Sequence, residues 1–273
     1  MNAKRSPSRP KSVLLLDIGN SRLKWALQRG PYRTGRGFAA SGVIELKQLS
    51  RRGAFLLRLL ATLDPKLAIE ACSVAGVAVE KQLRAMIRRA GLRPARFLRS
   101  THAAAGVRNA YPEPWRLGAD RWAALIGARS EFPGRALCLV AVGTAMTIDL
   151  LDANGRHRGG NIVPGPRLMI ESLLEHTAGI RRRAGGRSAG SRFGKAALFA
   201  HDTRNAIASG AVHAAAALIA EALRSARVLL RVTPQLILSG GAADVIGPLL
   251  RRRHIREDDL ALRGLALLHS ERP

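Results

Sequence analysis

Short apolar runs alternate along the chain with longer stretches at helical spacing, and this alternation sets the expected elements. Val13–Leu16 is an unbroken apolar run, as a strand covered on both faces requires. Asp17 closes it, Gly19, Asn20 and Ser21 make a tight turn, and the chain returns over Arg22–Leu27. That return places Leu23, Trp25 and Leu27 on one face and Arg22, Lys24 and Ala26 on the other. Thr34–Ala40 is expected as a third strand, punctuated by Gly30, Pro31, Gly35 and Gly37. Glu45–Leu63 carries Leu46, Leu49, Phe55, Leu56, Leu59 and Leu60 as an apolar stripe with arginines opposite, which predicts a helix stopped by Asp64-Pro65. Leu67–Val74 reads as a strand, Val77–Ala90 as an amphipathic helix ended by Gly91, and Ala95–Leu98 as one more short strand.

Thr101–Arg116 contains Tyr111, Pro112, Pro114 and Trp115 and is expected to be irregular. Leu117–Arg121 then leads into a helix over Trp122–Arg129. From Ala136 the opening pattern restarts. Ala136–Val142 is an apolar strand, Gly143–Thr147 a turn of small and hydroxyl residues, and Thr147–Leu151 the returning strand. Asp152–Gly155 is a hairpin turn, and His157–Val163 returns once more. Helices are expected over Leu168–His176, Thr203–Leu223 and Asp259–Leu268. Leu236–Leu238 is a strand running into Ser239–Asp244, which opens another helix. Ile180–Lys195, rich in Arg, Gly and Ser, reads as a mobile loop. Two halves that each start with strand, small-residue turn and strand form a cryptic repeat. It predicts two like-folded α/β domains with ATP in the cleft between them. The divisions are a basic tail over 1–11, a first domain over 12–116 and a second over 117–273.

Composition narrows the class. The 273 residues suffice for two cores, and with 4% aromatics these must be built from Leu, Ala, Ile and Val. Cys72 and Cys138 sit in apolar strand-like runs without metal-ligand spacing and read as buried thiols in a reducing compartment. A net charge of +26 raises nucleic-acid binding. The arginines are dispersed, however, and no zinc-finger spacing or aromatic RNA-recognition signature accompanies them. Nucleic acid is therefore expected only as a nonspecific, salt-sensitive partner. No apolar segment follows the basic start as a secretion signal would, and no unbroken apolar run has the length of a membrane span. A cytoplasmic protein with a disordered tail is expected.

Two carboxylates stand out. Asp17 faces a Gly/Asn/Ser turn, an arrangement suited to Mg-phosphate, although the stretch taken alone favours a plain hairpin with an Asx turn. Asp120 lies at the start of a helix, where it serves as a cap or first-turn carboxylate, or as a general base. Arg121 beside it suits a substrate carboxylate, or is a solvent-exposed first-turn arginine.

Taken in order, these motifs resemble the type III pantothenate kinase family. They are DIGNSRLK at Asp17–Lys24, Tyr111 followed by LGADRW at Leu117–Trp122, and GTAMTID at Gly143–Asp149. GGNIVPG at Gly159–Gly165, DTRNAIASGA at Asp202–Ala211, SGGAAD at Ser239–Asp244 and LRGLALL at Leu262–Leu268 complete the set. The resemblance implies two actin-type ATPase domains (ribonuclease H-like) with an interdomain ATP cleft. It implies phosphorylation of pantothenate by Mg-ATP, the first step toward coenzyme A. By similarity, Asp17, Ile18, Gly19, Asn20, Ser21, Arg22, Leu23, Lys24 and Thr144 would bind ATP, with Asp17 near Mg. Tyr111, Gly118, Ala119, Asp120, Arg121 and Thr203 would bind pantothenate, and Asp120 would accept the proton of its hydroxyl. The resemblance also implies a homodimer whose substrate pocket borrows from the partner, and a monovalent cation, potassium or ammonium.

One position departs. The family carries an aspartate for the cation three residues before the threonine of GTA, and here that position is Ala141. Three other readings stand beside the kinase. A different small-molecule kinase of the same fold would not share Tyr111, Asp120, Arg121 and Thr203. A non-catalytic regulator contacting nucleic acid would fit the basic charge. A scaffold would have no use for the unbroken Asp17 and Asp120 motifs.

Overall fold

The computed structural model describes residues 12–64, 66–185 and 197–272. The expected tail over 1–11, the stop at Pro65 and most of the expected loop over 180–195 lie outside the described residues. The start of that loop, Ile180–Arg183, is instead the end of a short helix, Ala178–Arg183.

The first sheet begins with Ser12–Ile18 (β1), Arg22–Arg29 (β2) and Ala40–Glu45 (β3), paired antiparallel in sequence. Helix Ala54–Leu63 (α1), strand Ala68–Ser73 (β4), helix Val77–Arg89 (α2) and the short strand Arg96–Phe97 (β5) follow. β4 pairs parallel to β1, and β5 parallel to β4, giving the order β3-β2-β1-β4-β5. β1 is covered on both faces, as its unbroken apolar run requires. Leu14, Leu16 and Ile18 pack with Leu23, Leu27, Ile69 and Leu83. Val13 and Leu15 pack on the other side with Ala26, Cys72, Ala123 and Leu265.

Two expectations in this stretch are corrected. The third strand lies at Ala40–Glu45 rather than Thr34–Ala40. Residues 34–36 are held away from the sheet, because the Gly35 N–H donates to Glu131 Oε2 at 3.0 Å and Gly35 takes φ +75°. The helix expected over Glu45–Leu63 starts only at Ala54. Glu45 ends β3, Leu46–Gln48 is a 3-10 turn and Leu49–Gly53 a wide turn. Gly53 is buried there between Leu49 and Met86, where a side chain would sit 2.9 Å from Leu49 Cδ1. The segment after β5 holds a small hairpin, Ala103–Ala104 (β6) with Val107–Arg108 (β7), and a 3-10 turn at Pro114–Arg116. The helix that follows spans Ala119–Glu131 (α3), starting before the expected Trp122.

The second sheet repeats the first. Leu137–Val142 (β8), Ala145–Leu151 (β9) and His157–Pro164 (β10) are antiparallel neighbours. Helices Pro166–His176 (α4), Ala178–Arg183 (α5) and Thr203–Leu230 (α6) follow. Gln235–Ser239 (β11) joins β8 in parallel, the short helix Ala243–Ile246 (α7) follows it, and Ile255–Arg256 (β12), absent from the expected elements, joins β11. The order β10-β9-β8-β11-β12 matches that of the first sheet strand for strand, with the same antiparallel and parallel pairs. The closing helix is Leu260–Glu271 (α8).

α6 runs through Leu230, past the expected end at Leu223, and is capped by Asp202, whose Oδ1 accepts the Asn205 N–H at 2.9 Å. By length and composition α6 is apolar enough to cross a membrane. Its stripe of Ala215, Ala216, Ile219 and Leu223 is buried against Cys138, Val140, Ile148 and Leu238, as in the core helix of a folded domain.

The chain divides into two compact units. One holds the described residues through Phe132 together with those from Leu260 onward, and the other holds Pro133–Asp259. The expected division at 116/117 is therefore displaced. α3 belongs to the first unit because α8 packs against it, with backbone touching backbone at Gly127 and Gly264.

Candidate functional site

In the first unit the site is built from the ends of β1 and β4 and the first turn of α3. Asp17 is half-buried near the end of β1, opposite Lys24 on β2 and Cys72 on β4 in strand register. The turn after it is tight, the Gly19 N–H donating to Arg22 O at 3.0 Å. Gly19 is not demanded by its own turn, since a Cβ there would meet Arg22 O at an ordinary 3.5 Å.

Cys72 is fully buried, and its thiol donates to Asp17 Oδ1 at 3.5 Å. Burial, then the Asp17 carboxylate, then the Asp120 carboxylate push this thiol well above the usual cysteine range. Asp17 touches this sulfur, and the Asp120 carboxylate is near enough to act on it electrostatically. Asp120 is the second residue of α3, whose N-cap is Gly118. Its Oδ1 accepts the Arg121 N–H at 2.7 Å, so the carboxylate folds back on the helix N-terminus, where the dipole favours negative charge. A Cβ at Gly118 would lie 2.6 Å from that oxygen, so glycine there leaves the room the carboxylate occupies.

Arg121 is 6% exposed, which excludes the solvent-exposed first-turn reading. Its Nη1 donates to the Tyr111 hydroxyl at 3.4 Å, and its guanidinium stands 6.0 Å from the Tyr111 ring. Tyr111 is itself fixed by its N–H donating to Asn109 Oδ1 at 3.0 Å. A buried guanidinium beside a phenol suits recognition of a carboxylate on a polar substrate.

In the second unit Thr144 lies in the turn between β8 and β9. Its carbonyl accepts the Gly165 N–H at 2.8 Å. A Cβ on Gly165 would stand 2.1 Å from Gly143 O, so the turn and the start of α4 interlock through glycine. The turn after β11 is held by residues that sequence reasoning missed. The Gly240 N–H donates to Asp258 Oδ1, and Arg256 Nη2 donates to Gly240 O, each at 2.9 Å. Arg256 also pairs with Asp258 at 2.9 Å and with Asp244 at 3.3 Å. The sequence carries no signal for this lock beyond the charged run after Ile255. Thr203 opens α6 behind its Asp202 cap. Ala141 lies on β8 between Thr147 and Ser239 in register, so hydroxyl residues and no carboxylate flank it there. A hollow of about 730 Å³ lined by Arg135, Leu223, Gln235 and Arg252 opens at the other ends of β8 and β11, away from these turns.

Among the described residues no three His, Cys, Asp or Glu side chains stand at metal-binding spacing. Mg bound through one or two carboxylates, with phosphate oxygens and water completing its shell, needs no such cage. Asp17 at a phosphate-sized turn fits that mode.

The Type III pantothenate kinase family model matches residues 13–225. The chain belongs to the type III pantothenate kinase family. It is 40% identical to the type III pantothenate kinase of Burkholderia thailandensis over 261 residues, covering 93% of this chain and 96% of that one. It is 39% identical to that of Burkholderia multivorans over 268 residues, covering 94% and 96%. The family match contains Asp17–Lys24, Tyr111, Gly118–Arg121, Thr144 and Thr203, and leaves α8 outside. The fold is shared more widely. A Campylobacter jejuni protein assigned to the Baf family of transcriptional activators superposes with a TM-score of 0.57 at 19% identity, covering 94% of this chain and 98% of that one. The ethanolamine utilization protein EutJ of Carboxydothermus hydrogenoformans gives 0.52 at 13%, covering 96% and 92%. The matching sheet orders of the two units are those of an actin-type ATPase pair.

Proposed function

We infer that this chain phosphorylates pantothenate with Mg-ATP, giving 4'-phosphopantothenate in the first step of coenzyme A biosynthesis. The observation that carries the reading is the family match, which contains both Asp17 at the end of β1 and Asp120 in the first turn of α3. Phosphoryl transfer asks the protein for position and charge more than for covalent chemistry. In this reading Asp17 and the turn through Lys24, with Thr144, hold the nucleotide phosphates. Bound Mg would neutralise charge on the phosphate oxygens. Arg121 and Tyr111 orient pantothenate through its carboxylate, with Gly118, Ala119 and Thr203 completing its site. Asp120 accepts the hydroxyl proton as that oxygen bonds to the γ-phosphorus and ADP leaves. The reading includes a homodimer in the cytoplasm, and light scattering on the purified protein checks the dimer. Incubation with Mg-ATP and pantothenate, followed by mass spectrometry, tests the reaction. A product heavier than pantothenate by one phosphoryl group supports it, and unchanged pantothenate opposes it.

Two predictions belong to this reading. Asp17→Asn keeps the side chain's size and removes its charge, so Mg-ATP affinity is expected to fall about tenfold, as loss of one charged contact implies. Calorimetric titration measures it, and unchanged affinity removes Asp17 from the phosphate site. Ala141 supplies no carboxylate for a monovalent cation, and its register neighbours Thr147 and Ser239 offer only hydroxyls. Rates in sodium, potassium and ammonium buffers are therefore expected to agree within about twofold, whereas a tenfold rise in potassium means that another oxygen set holds the ion.

A further inference from the structure

We propose that Cys72 is a positioning residue for the Mg-phosphate carboxylate, its S–H holding Asp17 Oδ1 in the orientation that meets the nucleotide. The inference rests on the assignment of Asp17 to the phosphate site and adds to it a residue that no motif points to. Three observations carry it. β1 and β4 run parallel with Asp17 and Cys72 as direct partners, so both side chains leave the sheet on the same face. The sulfur lies 3.5 Å from Oδ1, within the range of a thiol donor. Cys72 is wholly buried and belongs to the apolar cluster that includes Ala119 and Ala123 of α3, the helix that carries Asp120.

Cys72 donates its S–H to Asp17 Oδ1 from within the core. One oxygen of Asp17 is held from the buried side by the Cys72 S–H. A carboxylate fixed on one oxygen presents the other in a defined direction, which is how a supporting hydrogen bond raises the affinity of a ligating group.

The test compares three substitutions by titration of Mg-ATP in the absence of pantothenate, with steady-state rates alongside. Cys72→Ser keeps a donor. Cys72→Ala removes it, and Cys72→Val removes it while filling the space. The expected result is an Mg-ATP affinity about fivefold weaker in the Ala and Val variants and within about twofold of the parent in the Ser variant, as loss of one weak donor to a charged group implies. The Michaelis constant for pantothenate is expected to stay unchanged, and Cys72→Ala is expected to add nothing in an Asp17→Asn background. Equal effects of Ser, Ala and Val mean that the sulfur only packs, and overturn the proposal. So does unchanged affinity in the folded Val variant. If Asp17→Asn alone leaves Mg-ATP affinity unchanged, the phosphate-site assignment of Asp17 fails and takes the proposal with it. If Asp17→Asn weakens binding and Cys72→Val does not, the proposal alone fails.

Discussion

Asp120→Asn lowers kcat for pantothenate phosphorylation about a thousandfold, the scale expected when a positioned general base is lost. The substitution keeps the volume of the side chain and an amide oxygen able to accept the Arg121 N–H that Oδ1 now accepts at 2.7 Å. The helix start therefore survives. In the proposed mechanism what is lost is the group that takes the hydroxyl proton, because an amide does not accept it at neutral pH. The fall is expected in kcat and in kcat/KM alike, the signature of an interaction made only in the transition state. Mg-ATP affinity is expected within about twofold of the parent, since Asp120 is assigned to the hydroxyl and not to the phosphates. Stopped-time product analysis with saturating substrates measures the rate, and titration measures the affinity. A variant within tenfold of the parent rate removes Asp120 from the mechanism.

Gly264→Ala is expected to destabilise the first unit by about 3 kcal/mol, the upper part of the range for overpacking. A Cβ there would stand 2.0 Å from Ala123 O, and the reciprocal position is as tight, with Gly127 reaching 2.1 Å from Leu260 O. Both obstacles are backbone, so no rotamer change relieves them and α3 and α8 must separate. The intrinsic preference of a helix for Ala over Gly, about 1 kcal/mol, works against the effect and is overcome by it. For a chain of this size the melting temperature is expected to drop by roughly 6–12 °C. Gly210→Ala in α6 is the control. Nothing lies within 4 Å of its Cβ position, so that variant is expected to hold or raise the melting temperature. Thermal unfolding of the two proteins side by side checks the pair, and equal stability of both would mean that α3 and α8 do not meet as described. The same separation would move Asp120 and Arg121, so residual Gly264→Ala protein is expected to lose activity as well.

How much of this was legible in the sequence depends on whether a feature is local. The hairpin at Val13–Leu27 and its repeat at Ala136–Leu151 were readable, because an apolar run, a small-residue turn and a return need only near neighbours. From them followed the two like-folded α/β units. β3 was misplaced because Ala40–Glu45 opens on the small residues Ala40, Ser41 and Gly42 and carries no alternating apolar pattern. Gly42 is there because the Trp25 ring lies over it, with Nε1 2.8 Å from where a Cβ would be, and no local pattern shows a cross-strand tryptophan. The unit boundary was misplaced for a similar reason. The Gly127–Gly264 contact joins helices 137 positions apart, and its two glycines look like weak points in otherwise ordinary helices. At the site, Asp17, Asp120 and Arg121 were visible as motifs. The burial of Arg121 against Tyr111, the thiol beside Asp17 and the Arg256–Asp258 lock on Gly240 were not. The thiol contact and the Arg256 lock depend on which strand lies beside which, and the Arg121–Tyr111 contact on how an irregular segment folds back on α3, none of which a single element's pattern shows.

ADP formation by the purified protein with Mg-ATP, measured with and without pantothenate in sodium, potassium and ammonium buffers, tests the central claim most directly. The predicted result is ADP release that requires pantothenate and saturates in both substrates. Folded protein that releases no more ADP with pantothenate than without it, in every buffer, would contradict the assignment of this chain as a working pantothenate kinase.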